Sequence, residues 1–136
     1  NSLYERHGEE FKTLETVQVP LVTVDSFCAE QNIDSIAFVK IDTEGSEMAV
    51  LAGMMSLMQQ RRVGCIQFEY SIGWIDSRRF LMEAFEMLGS LGYTIGKIFP
   101  NGIMYIPSYD PHHETFQWAN YLAVQPDWVK VFPVVH

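Results

Sequence analysis

Residues 35–60 read SIAFVKIDTEGSEMAVLAGMMSLMQQ, and this stretch decides the fold. Ser35 to Ile41 is apolar except for Lys40 near its end. Continuous apolar character predicts a central parallel strand covered on both faces. Asp42-Thr43-Glu44-Gly45 turns the chain, and Gly45 permits a sharper turn than a side chain would allow. Ser46, a plausible cap, opens a predicted helix to about Gln60, with Val50, Leu51, Met54, Leu57 and Met58 at helical spacing.

Downstream, Val63 to Phe68 reads as a second strand ending at Glu69. Arg78 to Leu91 reads as a helix that buries Leu81, Phe85 and Leu88, with Gly92 in position for a left-handed cap. Thr94 to Phe99 and Ile103 to Ile106 flank Asn101-Gly102, a strong hairpin signal. Trp118 to Val124 is the last strand before Pro126. Upstream, Leu21 to Val24 is a short β-branched run expected to be a strand, with Asp25 capping a helix from Ser26 to Gln31. Asn1 to Val19 is polar and aperiodic, and reads as a loop or docking arm, leaving 20–136 as the folded unit. The alternation predicts an α/β protein with crossover helices and antiparallel additions at its C-terminal end. A doubly wound fold opens with a strand, a glycine-rich turn and a helix, and nothing before Pro20 supplies them.

Composition narrows the partners. Seventeen acidic residues against nine basic ones give a formal charge of -8, which argues against a nucleic-acid backbone as ligand. Arg61-Arg62 and Arg78-Arg79 are the only dense basic spots and read as polar helix ends or faces. No run of 18 apolar residues occurs, so no membrane span is expected, and the chain has a cytoplasmic character. Cys28 and Cys65 lie too far apart for a CxxC pair and read as small buried hydrophobes. The low charged fraction, 19%, points to apolar surface meant for another segment or subunit.

Ligands of an open α/β sheet sit beyond the carboxyl ends of its strands. Asp42 and Glu69 each end an apolar run there, so neighbouring strands would bring two carboxylates to one crevice. Paired carboxylates can take a proton, bind a metal or hold a substrate hydroxyl or amine. The structural alternative is that Asp42 caps the next helix and Glu69 joins a loop network. Glu44 and Glu47 are equally explained by the helix dipole, worth about 0.3–1 kcal/mol. Lys40 either pairs with an acid or snorkels. Tyr70 and Trp74 are candidates for a substrate wall or for core. His112 and His113 are a solvated loop pair or a base, and the histidines show no metal-ligand spacing with the cysteines. Asp42-Thr43-Glu44-Gly45 also fits the DxxG turn of nucleotide triphosphatases, but the GxxxxGK phosphate cradle is missing.

The run VKIDTEGSEMAVLAG, Val39 to Gly53, resembles the signature of the FkbM family of S-adenosylmethionine-dependent methyltransferases. Lys40, Ile41, Asp42, Glu44, Gly45, Ser46, Glu47, Val50, Leu51 and Gly53 fall on the family pattern. Val19 to Asp25, Ile66 to Glu69, Leu88 to Tyr93 and Asn120 to Ala123 are also similar, so the likeness runs over about residues 17–125. It implies the C-terminal half of a Rossmann-like methyltransferase sheet and O-methyl transfer to a hydroxyl of a small molecule or sugar. By that resemblance Asp42 and Glu69 are catalytic, Asp42 and Glu44 lie against the cofactor S-adenosylmethionine, and no metal is assigned. The family's Asp-x-Gly-Ala-x-x-Gly turn is not in these residues, so the cofactor-binding half is expected to be absent. Asn1 in place of Met suggests a piece of a longer protein, inactive alone. The alternative is a non-catalytic scaffold that pairs with a second copy through an exposed sheet edge.

Overall fold

The computed structural model describes residues 17–135. Most of the expected arm, residues 1–16, lies outside them, as do His7 and His136. The remainder is a mixed α/β fold with one five-stranded sheet.

The chain runs α1 (Val24–Glu30), β1 (Ile36–Ile41), α2 (Glu47–Ala52), α3 (Met55–Gln59), β2 (Val63–Tyr70), α4 (Gly73–Asp76), α5 (Leu81–Ser90), β3 (Thr94–Phe99), β4 (Gly102–Ile106) and β5 (Ala119–Val124). Short 3-10 turns cover Pro111–His113 and Pro126–Val131. The strand order is β1-β2-β5-β3-β4. Only β1 and β2 are parallel neighbours, and the other pairs are antiparallel. The last strand inserts between β2 and β3, so the sheet is mostly antiparallel, with less parallel character than its strand-helix alternation predicts.

Several local expectations are corrected. Leu21 to Val24 forms no strand. Thr23 caps α1 by accepting from the Ser26 amide at 3.1 Å, the role expected of Asp25. The Asp25 carboxylate instead accepts from Ser56 and Leu57 at 2.9 and 3.0 Å, capping α3 from a distance. The predicted helix from Ser46 breaks at Gly53-Met54 into α2 and α3. Ser46 stands at the N-cap of α2 without a side-chain cap bond, and its buried hydroxyl has no partner. A hairpin forms where Asn101-Gly102 predicts one, but its turn is Pro100-Asn101, and Gly102 opens β4 paired with Phe99.

The helices collect on one face of the sheet. Leu51, Met54, Met58, Leu81 and Leu88 pack there with Ile41, Ile66, Phe68, Tyr121 and Ala123 in the larger core. At about 25 cal/mol per Å² of apolar area, this burial is the main force closing the layer. The opposite face carries a smaller core of Cys65, Ile103, Leu122 and Val124 under Trp128, Val129 and Phe132. Gly64 allows that approach, since a Cβ there would meet Trp128 at 2.9 Å. Both cysteines are buried and free.

β1 is the strand most at odds with its reading. Among the described residues it is an edge strand, and Phe38 is 49% exposed. Its apolar composition suits double coverage that the described residues do not provide.

Candidate functional site

Parallel pairing of β1 with β2 brings their carboxyl ends side by side. Ile41 is in register with Phe68, so Asp42 follows one strand where Glu69 continues the other. Carboxylate oxygens of Asp42, Glu44 and Glu69 lie within 4.8 Å of one another. This grouping has the donor chemistry and spacing to hold a divalent cation or another small cation.

The turn that presents these groups is held from below. Glu47, the first residue of α2, is 1% exposed. Its Oε1 accepts from the Thr43 amide and hydroxyl at 2.9 and 3.1 Å, and its Oε2 accepts from the Gly45 amide at 3.0 Å. Both carboxylate oxygens are therefore spent on the loop, beyond any interaction with the helix dipole. Glu44 and Gly45 are successive left-handed residues, with φ of 55° and 106°. A Cβ on Gly45 would lie 2.5 Å from the Gly73 carbonyl oxygen, so this turn packs directly on the start of α4.

The two lead carboxylates differ in environment. Asp42 is exposed and accepts from the Lys40 ammonium at 2.6 Å, so it pairs with a charge and does not cap the helix. That contact, first by hydrogen bond and then by charge, raises the Lys40 pKa. Glu69 is half-buried, and burial raises its pKa above the usual carboxylate range. Asp42, Glu44 and Glu47 add to that rise, while Lys40 opposes it. A carboxyl whose burial raises its pKa is a stronger proton acceptor than an ordinary glutamate.

Tyr70 and Trp74 are not a wall. They are 0% and 1% exposed and meet edge to face in the core, with ring centroids 5.3 Å apart. The Trp74 indole N–H donates to the Glu69 carbonyl at 3.0 Å and fixes the backbone behind the carboxylate. The Tyr70 hydroxyl donates to Glu114 at 2.8 Å and accepts from the Phe116 amide at 3.0 Å. Glu114 also accepts from Leu81, Met82 and the Tyr109 hydroxyl, joining the 109–116 loop to the start of α5 and the end of β2. The sequence reading missed Glu114, because nothing local distinguishes it from a solvated loop acid. His112 pairs with Asp110, and His113 stacks on Phe85, so both are engaged in the 110–113 turn.

The fold is mixed α/β, with clustered acids at adjacent strand ends beside a glycine turn. The family model of the FkbM methyltransferase domain matches residues 2–95, and the chain belongs to that family. Membership supports methyl transfer as the general chemistry. No curated protein and no solved structure matches the chain. Among the described residues, no helix is long and apolar enough to cross a membrane.

Proposed function

We propose that this chain forms the acceptor side of an S-adenosylmethionine-dependent O-methyltransferase, acting on a hydroxyl of a small molecule. The single observation carrying this reading is the convergence of Asp42, Glu44 and Glu69 at adjacent parallel strand ends in a family member. When bound, the cofactor supplies an electrophilic methyl carbon on a positively charged sulfonium. The carboxylates of Asp42, Glu44 and Glu69 suit that charge, and Asp42 and Glu44 would lie against it. Glu69 receives the acceptor hydroxyl's proton on its carboxylate, a role suited to an acid held above its usual range. Asp42, anchored by Lys40, orients the hydroxyl. Glu47 keeps the turn in place and touches no substrate. The glycine-rich turn that grips the nucleoside in the family does not occur in the 136 residues. Residues 20–136 are accordingly assigned to the C-terminal half of a Rossmann-like sheet.

The test is calorimetric titration of the full gene product with S-adenosylhomocysteine, followed by transfer of labelled methyl groups to a panel of hydroxylated acceptors. Binding with turnover that collapses in Glu69→Gln supports the reading. A folded protein that gives no heat refutes it.

A second reading is favoured by the place of β1 at the sheet edge among the described residues: a non-catalytic scaffold in which two copies pair through that strand. It predicts a dimer by light scattering and indifference to Asp42→Asn.

A further inference from the structure

Strand pairing fixes one side of the acidic site and stops short of the other. Glu69 lies within β2 and is paired with Asn120 of β5. Ile41 is the last residue of β1 in register with β2, so the ladder ends just before Asp42. The turn that carries Asp42 and Glu44 is placed by contacts outside the ladder. One is Glu47, which holds the turn through Thr43 and Gly45. Glu47 belongs to α2, the helix that leaves the turn, so it ties the turn to its own side.

Gly73, the first residue of α4, makes the contact from the β2 side. A Cβ on Gly73 would lie 3.1 Å from the Glu44 carbonyl carbon, 3.2 Å from its oxygen and 3.3 Å from the Gly45 nitrogen. In the other direction, a Cβ on Gly45 would meet the Gly73 carbonyl oxygen. The loops after β1 and β2 therefore meet backbone to backbone, closer than side chains at these positions would allow. The two glycines have different reasons to be glycine. Gly45 needs its left-handed φ of 106°. Gly73 is helical, where alanine is the better residue, so close approach is what glycine supplies there. Behind it α4 is firmly seated. Trp74 is buried, and its indole N–H reaches back to the Glu69 carbonyl at 3.0 Å. A chain of contacts runs from Glu69 through Trp74 and Gly73 to the turn.

We infer that Gly73 is a positioning residue of the acidic site, setting how far the turn bearing Asp42 stands from Glu69. The inference rests on the methyl-transfer reading for what the site does, while the contact stands on its own geometry. A methyl group added at residue 73 meets backbone atoms of a turn whose Thr43 and Gly45 amides Glu47 already holds. No flexible side chain lies there to give way, so the turn itself shifts by a few tenths of an ångström. Productive geometry tolerates displacements of about 0.5 Å, and a misplacement of about 1 Å can cost about a hundredfold in rate. A shift of this size is expected to lower turnover about tenfold.

The test is Gly73→Ala in the full gene product, with Gly89→Ala as control, since a Cβ on Gly89 meets nothing within 4 Å. Folded protein is followed by proton–nitrogen NMR and by acceptor kinetics. Gly73→Ala is expected to shift the Thr43 and Gly45 amide resonances. It is also expected to lower kcat about tenfold with acceptor KM held within about twofold. Gly89→Ala is expected to change none of these. A glycine with a purely structural role would lower the unfolding midpoint and leave kcat of the folded enzyme unchanged, and that result overturns the inference. Stationary Thr43 and Gly45 amides overturn it too. Where Gly73→Ala fails to fold, Glu47→Gln perturbs the same contact from the turn, and the Trp74 indole resonance is expected to move. An indole that stays in place overturns the inference. A wild type that transfers no methyl group refutes the reaction alone. Joint movement of the turn amides and the Trp74 indole in Gly73→Ala then supports the positioning role, and its absence overturns it.

Discussion

Glu47→Gln and Glu47→Ala probe the support beneath the acidic site. The wild-type carboxylate is 1% exposed and accepts three hydrogen bonds, two of them from backbone amides of the 42–45 turn. A glutamine has one carbonyl oxygen. Its best placement keeps Thr43 satisfied and turns an NH2 group toward the Gly45 amide, where two donors then meet. One unsatisfied buried backbone donor costs about 1–3 kcal/mol. Alanine loses all three bonds and leaves a void, for about 3–5 kcal/mol. Relief from burying a charge offsets part of this. The expected order is wild type, then Gln, then Ala, by urea unfolding with a constant m-value. The turn also carries Asp42 and Glu44, so turnover is expected to fall in Glu47→Gln under conditions where the protein stays fully folded. An alanine variant within about 1 kcal/mol of wild type would refute the reasoning, since the three bonds would then contribute no net stability.

Gly45→Ala is expected to unfold the protein or destabilise it by more than about 3 kcal/mol, measured by thermal melting. Its φ of 106° disfavours any side chain, and a Cβ would sit 2.5 Å from a backbone oxygen that cannot move aside. Glu114→Ala, which removes the acceptor for Tyr70, Tyr109 and the first two amides of α5, is expected to cost about 2–4 kcal/mol. A double-mutant cycle with Tyr70→Phe should show coupling, and strict additivity would exclude the network. Glu69 has a folded-state pKa above its ordinary value of 4.5. Its stabilising contribution is complete below that value and is lost as pH rises through the folded pKa. Glu69→Gln should therefore flatten the decline in stability above pH 4.5, read from denaturation curves at successive pH values. An unchanged pH profile would contradict the shift.

Much of the fold was legible in the sequence. Runs at 36–41, 63–68 and 94–99 are strands because short, mostly apolar runs bounded by turn residues bury best in a sheet, and the hairpin after Phe99 turns through Pro100 and Asn101. Asp42 and Glu69 could be paired from their positions at the ends of two such runs. Their partners could not. Lys40 is two residues from Asp42, and Glu47 is four from Thr43, yet only the turn's actual path decides which of the nearby acids each group meets. Leu21 to Val24 misled because β-branched residues form a strand only where a neighbouring strand accepts their hydrogen bonds.

The local pattern, by itself, determined the element types, the family signature and the acids at the strand ends, since each depends on short-range periodicity and turn chemistry. Tertiary structure alone decided that β5 enters between β2 and β3, that β1 lies at the sheet edge among the described residues, and that Glu114 reaches across to α5. It also set Gln67 beside Asn120, residues distant in sequence and adjacent only through strand pairing. The physical reason is that such contacts depend on which backbone edges and apolar faces meet in three dimensions, and that choice is made by the whole chain at once.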